Sequence, residues 1–155
     1  MSAPSNNLII VYISAIEKLN FFLRFYASAS MCGYDYKVVT HSASIKLKYP
    51  KAILISCPKR MVVSSVVARL VRDSLEGKAQ KTVVDGARAE GAYQNLRDLM
   101  RTFSLRYNNA LCFLWNGSTL MESIAAEVAN ENGIERRFFE IGNFPGKIFV
   151  DPSGV

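Results

Sequence analysis

The stretch that most restricts the fold runs from Ala110 to Val155. Ala110–Trp115 (ALCFLW) is a short continuous apolar run, as long as a buried strand. Asn116-Gly117-Ser118 is a turn signal. Thr119 precedes Glu122 at the spacing of a capping box. Leu120, Ile124 and Val128 then recur on one helical face, with Met121, Ala125 and Ala129 beside them. Glu122, Glu127, Asn130 and Glu131 fall on the other face, so the period is that of an amphipathic helix. Asn132-Gly133 is a C-terminal stop. Arg137–Ile141 (RFFEI) reads as a second strand. Gly142, Asn143, Pro145 and Gly146 make a tight loop, and Lys147–Val150 (KIFV) reads as a third strand ahead of Asp151-Pro152.

Strand, turn, capped helix and strand form a βαβ unit, which implies a parallel sheet. In open sheets of this kind ligands bind beyond the carboxyl ends of the strands. Asn116 with Gly117, Glu140, Asn143 and Asp151 all follow or end apolar strand candidates and are therefore the expected ligand-facing residues.

The front of the chain repeats the pattern. Met1–Asn7 is a polar lead, and Leu8–Ile13 (LIIVYI) reads as a central buried strand. Glu17–Met31 has helical spacing, with Leu19, Phe22, Leu23 and Tyr26 on one face and Gly33 as its stop. Tyr36–Thr40 is the next strand. No G-x-G-x-x-G follows the first strand, so the dinucleotide fingerprint is absent. The loop Ser14–Lys18 can still face a ligand, which makes Ser14 a substrate-binding candidate.

Between the two units, His41–Tyr49 reads as a polar, basic loop and Ala52–Cys57 as a buried strand ended by Pro58. Met61–Leu75 has helical spacing through Val63, Val66, Val67, Leu70 and Val71. Thr82–Val84 is a short strand or a connection, Asp85-Gly86 a turn, and Ala87–Arg106 a long amphipathic helix with Ala92, Leu96, Leu99, Met100 and Phe103 as its stripe. The fold class expected is α/β and Rossmann-like, a mainly parallel sheet with helices on both faces, in a single domain over 1–155.

The chain carries 19 Lys and Arg against 13 Asp and Glu, a net charge of +6. That charge suits an anionic partner, although a mildly basic surface needs no specific ligand. The basic residues are scattered, with no K/R-rich run or aromatic–basic RNA signature, so nucleic acid is not expected. The 3 cysteines, Cys32, Cys57 and Cys112, are far apart; Cys57 and Cys112 lie in apolar runs and read as core thiols of a reducing compartment. With His41 the lone histidine, no metal site is expected. No signal peptide or membrane span is visible, so a cytoplasmic location is expected.

The run WNGS, the helix after it and FFEIGNFPGKIFVDPSGV resemble the capsular polysaccharide biosynthesis family of bacteria, glycosyltransferases that attach Kdo, an acidic eight-carbon sugar, during capsule assembly. The specific part, E-x-G followed by D-x-x-G-V, lies in about the last third of the chain, and the front matches only by its strand–helix–strand order. The resemblance implies one Rossmann-like half, the N-terminal one, of a two-domain GT-B-type transferase, with the donor-binding half later in the sequence, so that these residues alone form an incomplete enzyme. It implies CMP-Kdo as donor substrate, an anionic-sugar, lipid-linked or growing capsule acceptor, no cofactor and no metal. Peripheral contact with the inner membrane or with capsule assembly proteins would follow, as would self-association through an uncovered cleft face. Such enzymes are understood to use a carboxylate nucleophile, which places Asp151 in that role and Glu140 as the second, proton-handling carboxylate.

Each candidate also has a plainer reading. Asp-Pro commonly starts a turn, Glu140 would be a strand-end glutamate, and Asn116 and Gly117 would only close a turn. Trp115 continues an apolar strand and reads as core. His41 reads as a surface histidine, Lys59 and Arg60 as a solvated pair, and Glu17 as a helix-dipole partner. Arg136-Arg137 would lie at a strand's amino end, away from ligand. A non-catalytic α/β binding or structural module is the rival to the enzyme.

Overall fold

The computed structural model describes residues 6–75, 85–141 and 148–152. Its strands are β1 (Asn7–Tyr12), β2 (Tyr34–Thr40), β3 (Ile53–Leu54), β4 (Asn109–Trp115), β5 (Glu135–Ile141) and β6 (Ile148–Asp151). They form one sheet in the order β3-β2-β1-β4-β5-β6. All pairings from β3 to β5 are parallel, and β6 is antiparallel to β5. The order is that of doubly wound nucleotide-type folds, in which the chain steps outward both ways from β1.

The continuous apolar run of β1 follows from burial on both faces. Leu8, Ile10 and Tyr12 enter one core with residues of α4 (Ser65–Leu75), α5 (Gly86–Arg106) and α6 (Leu120–Glu131), among them Val67, Leu96, Met100, Ile124 and Val128. Ile9, Val11 and the following Ile13 enter a second core with Leu19, Phe22, Ala29 and Ile45, which come from α1 (Leu19–Leu23), α2 (Phe25–Met31) and α3 (Ala43–Lys48). Each fully buried aliphatic side chain contributes about 1.5–3 kcal/mol, so β1 is the strand the fold can least do without. Helices therefore cover both faces of a mainly parallel sheet, as the sequence pattern implies.

Several local expectations change. The first helix is segmented into a 3-10 turn at Ile16–Lys18, then α1 and α2. Its break at Arg24 keeps helical angles, φ −64 and ψ −26. Tyr26 is exposed and lies edge-on to Tyr36. The polar stretch after His41 contains α3 because Ile45, fully buried, anchors it, while Lys46 Nζ bonds the carbonyls of Pro50 and Ala52 at 2.6 and 2.7 Å. The expected strand over Ala52–Cys57 shrinks to Ile53–Leu54. Ile55 N still reaches Thr40 O at 2.7 Å, but Pro58 has no N–H and the chain turns onto α5. Helix α4 starts only at Ser65, leaving Met61 and Val62 exposed.

Asp85 is the N-cap of α5: its Oδ1 accepts from Ala87 N and Arg88 N at 3.1 and 3.3 Å. Thr82–Val84 lies outside the described residues. The last strand corrects the parallel reading. Only residues 142–147 separate β5 from β6, whereas a parallel return needs a crossover of about a dozen residues or more.

Candidate functional site at the carboxyl edge of the sheet

The chain leaves β1 and β4 in opposite directions, and ligand crevices form at such a switch point. Three chain ends converge there. Ser14 follows β1, His41 follows β2, and the Asn116 turn joins β4 to α6.

Residues Leu8, Ile10, Tyr12 and Ser14 alternate toward the α5–α6 face. Ser14 Oγ donates to Glu122 Oε1 at 2.8 Å. Glu122 belongs to the first turn of α6 and is only 2% exposed, which overturns its placement on the polar face. The capping expectation holds for Thr119, whose Oγ1 accepts from Glu122 N at 3.2 Å. Burial pushes the Glu122 carboxyl up, while hydrogen bonds from Ser14 and Thr119 and the Lys18 charge pull it back. Its Oε2 is buried without a partner in hydrogen-bond geometry, which favours the neutral acid.

Two residues earlier on β1, the Tyr12 hydroxyl lies 2.6 Å from His41 Nδ1. Burial, reinforced by Cys57 and Glu122, raises the Tyr12 phenol well above its ordinary value, so it keeps its proton, and among the described residues His41 Nδ1 is the acceptor in reach of that proton. Nδ1 therefore accepts, and the proton of the neutral imidazole sits on Nε2. Burial also lowers the His41 pKa, favouring that neutral form. His41 is thus a partly buried, hydrogen-bonded group and not the surface histidine that its polar surroundings suggest.

His41 lines a cleft of about 340 Å³ with Cys57, Asp85, Arg88, Ala89, Leu120 and Met121. Burial raises the Cys57 thiol, with Arg88 opposing; a protonated thiol is a poor nucleophile, and Nδ1 is already engaged. Cys57 and His41 are therefore not arranged as the nucleophile and base of Cys–His chemistry. The cleft wall is fixed. Asn95 Nδ2 bonds Ser56 O at 2.8 Å, Arg60 N bonds Ala87 O at 3.0 Å, and Gly91 lies against the Pro58 backbone. Lys59 and Arg88 approach Asp85 Oδ2 at 3.7 and 3.4 Å.

Asn116 and Gly117 are occupied in the turn. Asn116 has φ +31 and Gly117 φ +75, and Asn116 Oδ1 accepts from both the backbone N–H and the hydroxyl of Ser118. Trp115 packs with Phe21 and Phe22 in the second core, and Lys18 Nζ sits 4.3 Å above its ring. Asn143 lies outside the described residues. Glu140 pairs with Phe149 and Asp151 with Phe138. Asp151 therefore ends an antiparallel strand, level with the middle of β5, and does not project from a parallel carboxyl end. Paired residues share a face and the alternation has period two, so Glu140 and Asp151 stand on the same face as diagonal neighbours. The structure thus gathers Ser14 with Glu122, and separately Glu140 with Asp151.

Position in the sequence does not nominate Tyr12, His41, Asp85, Arg88 or Glu122. Only His41, immediately after a strand, carried the signal that Asn116 did. Among the described residues, no group of three or more His, Cys, Asp or Glu is placed to hold a metal ion, and no helix is long and apolar enough to cross a membrane. No protein-family model matches the chain, and no curated protein matches it significantly.

Proposed function

We propose that the chain is the N-terminal, Rossmann-like half of a GT-B-type sugar transferase of capsular polysaccharide biosynthesis, moving Kdo from CMP-Kdo to a lipid-linked or capsule acceptor at the cytoplasmic side of the inner membrane. The observation that carries the reading is the β5–β6 hairpin. The two acidic residues of the E-x-G…D-x-x-G-V pattern stand there as a diagonal pair on one face. Diagonal side chains start about 7–8 Å apart, and retaining glycosyl chemistry uses carboxyl groups about 5–5.5 Å apart, a gap that side-chain rotation spans.

In this reading the Asp151 carboxylate attacks the anomeric carbon of the donor and CMP leaves with the bonding pair. An acceptor hydroxyl then displaces Asp151 while Glu140 takes the hydroxyl proton. Two inversions leave the configuration retained. A non-catalytic binding module is the second reading, favoured by the His41 cleft, which is built without either hairpin carboxylate.

The test is transferase assay and intact-mass measurement on the protein expressed from its whole reading frame. Asp151→Asn is expected to abolish transfer and the sugar adduct while unfolding at the wild-type temperature, and Glu140→Gln to slow transfer strongly. Full activity of Asp151→Asn would overturn the catalytic assignment.

A further inference from the structure

We propose that the cleft between the segment after β3 and the N-terminal turn of α5 is a binding site for the phosphoryl group of a small molecule. This inference does not rest on the transferase reading. The cleft's polar groups are mainly donors. Tyr12 occupies Nδ1 of His41, so the imidazole offers the cleft its Nε2–H and no lone pair. Arg88, which lines the cleft, is engaged with Asp85 through Nε at 3.4 Å, and among the described residues no ion pair or hydrogen bond engages its terminal nitrogens. Among the described residues Asp85 is the only carboxylate in the lining. Its Oδ1 is taken by the Ala87 and Arg88 N–H groups, and Oδ2 faces the Lys59 and Arg88 cations. The local balance is thus positive, and what enters must accept hydrogen bonds.

The donors come from different elements, His41 from the end of β2 and Arg88 from α5. That spread suits a tetrahedral oxyanion, whose oxygens point apart, better than a planar carboxylate gripped from one side. At about 340 Å³ the cleft has the volume of a small ligand site. Leu120, Met121 and Ala89 give it an apolar wall for the body that carries the phosphoryl group. The clamp of Pro58 onto Gly91 and the Asn95–Ser56 hydrogen bond hold the walls before any ligand arrives, which lowers the cost of ordering the site on binding.

The sequence contains 1 histidine, so a single set of imidazole resonances reports on the cleft. The 155-residue chain is titrated with inorganic phosphate at fixed pH, with chloride of equal ionic strength and acetate as comparisons. A saturable shift of the His41 imidazole ¹⁵N signals with phosphate is expected, with no such response to chloride. Arg88→Gln should weaken the phosphate response about tenfold, the worth of one charge-assisted hydrogen bond. Glu140→Gln and Asp151→Asn should leave it unchanged, so a failed transferase assay and a failed phosphate titration are separate results. Equal responses to phosphate and chloride, or an unaltered affinity in folded Arg88→Gln, would overturn the site. Acetate binding as tightly as phosphate would overturn the phosphoryl assignment.

Discussion

Replacing Gly91 with alanine tests how the cleft wall is made. Gly91 lies inside α5, where glycine costs a helix about 1 kcal/mol relative to alanine. On helix propensity alone Gly91→Ala should stabilise the protein. The structure argues the reverse. A Cβ at this position would lie 1.9 Å from the Pro58 carbonyl oxygen and 2.9 Å from its carbon. The neighbour is backbone, which cannot rotate aside, so α5 and the Pro58 segment would have to part by about 1 Å. That motion pulls on the Arg60 N to Ala87 O and Asn95 Nδ2 to Ser56 O hydrogen bonds. Overpacking costs about 1–3 kcal/mol, and the strained hydrogen bonds add about 1 kcal/mol between them, the Asn95 bond being exposed. Against the propensity gain, the net expected loss is about 2 kcal/mol. For a chain of this size that lowers Tm by about 4–8 °C.

Urea and thermal unfolding measure the loss, and Gly86→Ala in the same helix is the control. Among the described residues its Cβ would meet only Val63 Cγ2 at 3.9 Å, an ordinary contact, so stability between that of wild type and about 1 kcal/mol above it is expected. If Gly91→Ala unfolds at or above the wild-type temperature, the clamp between α5 and Pro58 is not the constraint described.

Asp85→Ala removes the cap of α5 and should cost about 1 kcal/mol in urea unfolding, while Asp85→Asn, an equally good cap, should cost little; equal losses would show that Asp85 acts through its charge. For Glu122 the prediction is one of pH. Its raised pKa means that the folded chain holds the proton more tightly than the unfolded chain, in which glutamate titrates at about 4.3. Its stabilising contribution is therefore complete below that value and lost as pH rises through the folded-state pKa. Glu122→Gln cannot ionise, so its unfolding free energy relative to wild type should climb over that window and then level off; a flat difference would mean that the carboxyl is not perturbed in the fold.

The elements legible in the sequence are those whose signal is local and whose burial is complete. Leu8–Ile13 and Ala110–Trp115 are continuous apolar runs because β1 and β4 have neighbours on both sides and helices on both faces. Thr119 announces α6 because a cap is a contact across three residues. The elements misread lie at the margins. Strand β3 is an edge element of two residues, and α3 depends on one buried side chain, Ile45. Neither produces a period long enough to recognise.

The site fails to show in the sequence for a related reason. Glu122 falls on the polar side of a helical wheel because the wheel knows only its own helix. It is buried because the first turn of α6 runs over the end of β1, where Ser14 waits 108 positions earlier in the chain. The Tyr12–His41 contact likewise spans two strands. No local spacing reports such pairs; only the strand order does.

The direction of β6, in contrast, was fixed by arithmetic on the chain. A segment of residues 142–147 can close a hairpin and cannot cross over the sheet. Reversal changes what the final acidic residue can do. A parallel strand would carry Asp151 outward beyond the edge, whereas β6 begins at that edge and brings Asp151 back to the level of Phe138. Its relation to Glu140 then depends on register alone. The two are diagonal neighbours on the Phe138 face, and a slip of one residue in the hairpin would turn Asp151 to the Phe139 face, on the other side of the sheet. A two-carboxylate reaction on this hairpin would therefore be more sensitive to a one-residue insertion between β5 and β6, which can shift the pairing, than to most side-chain substitutions around the pair.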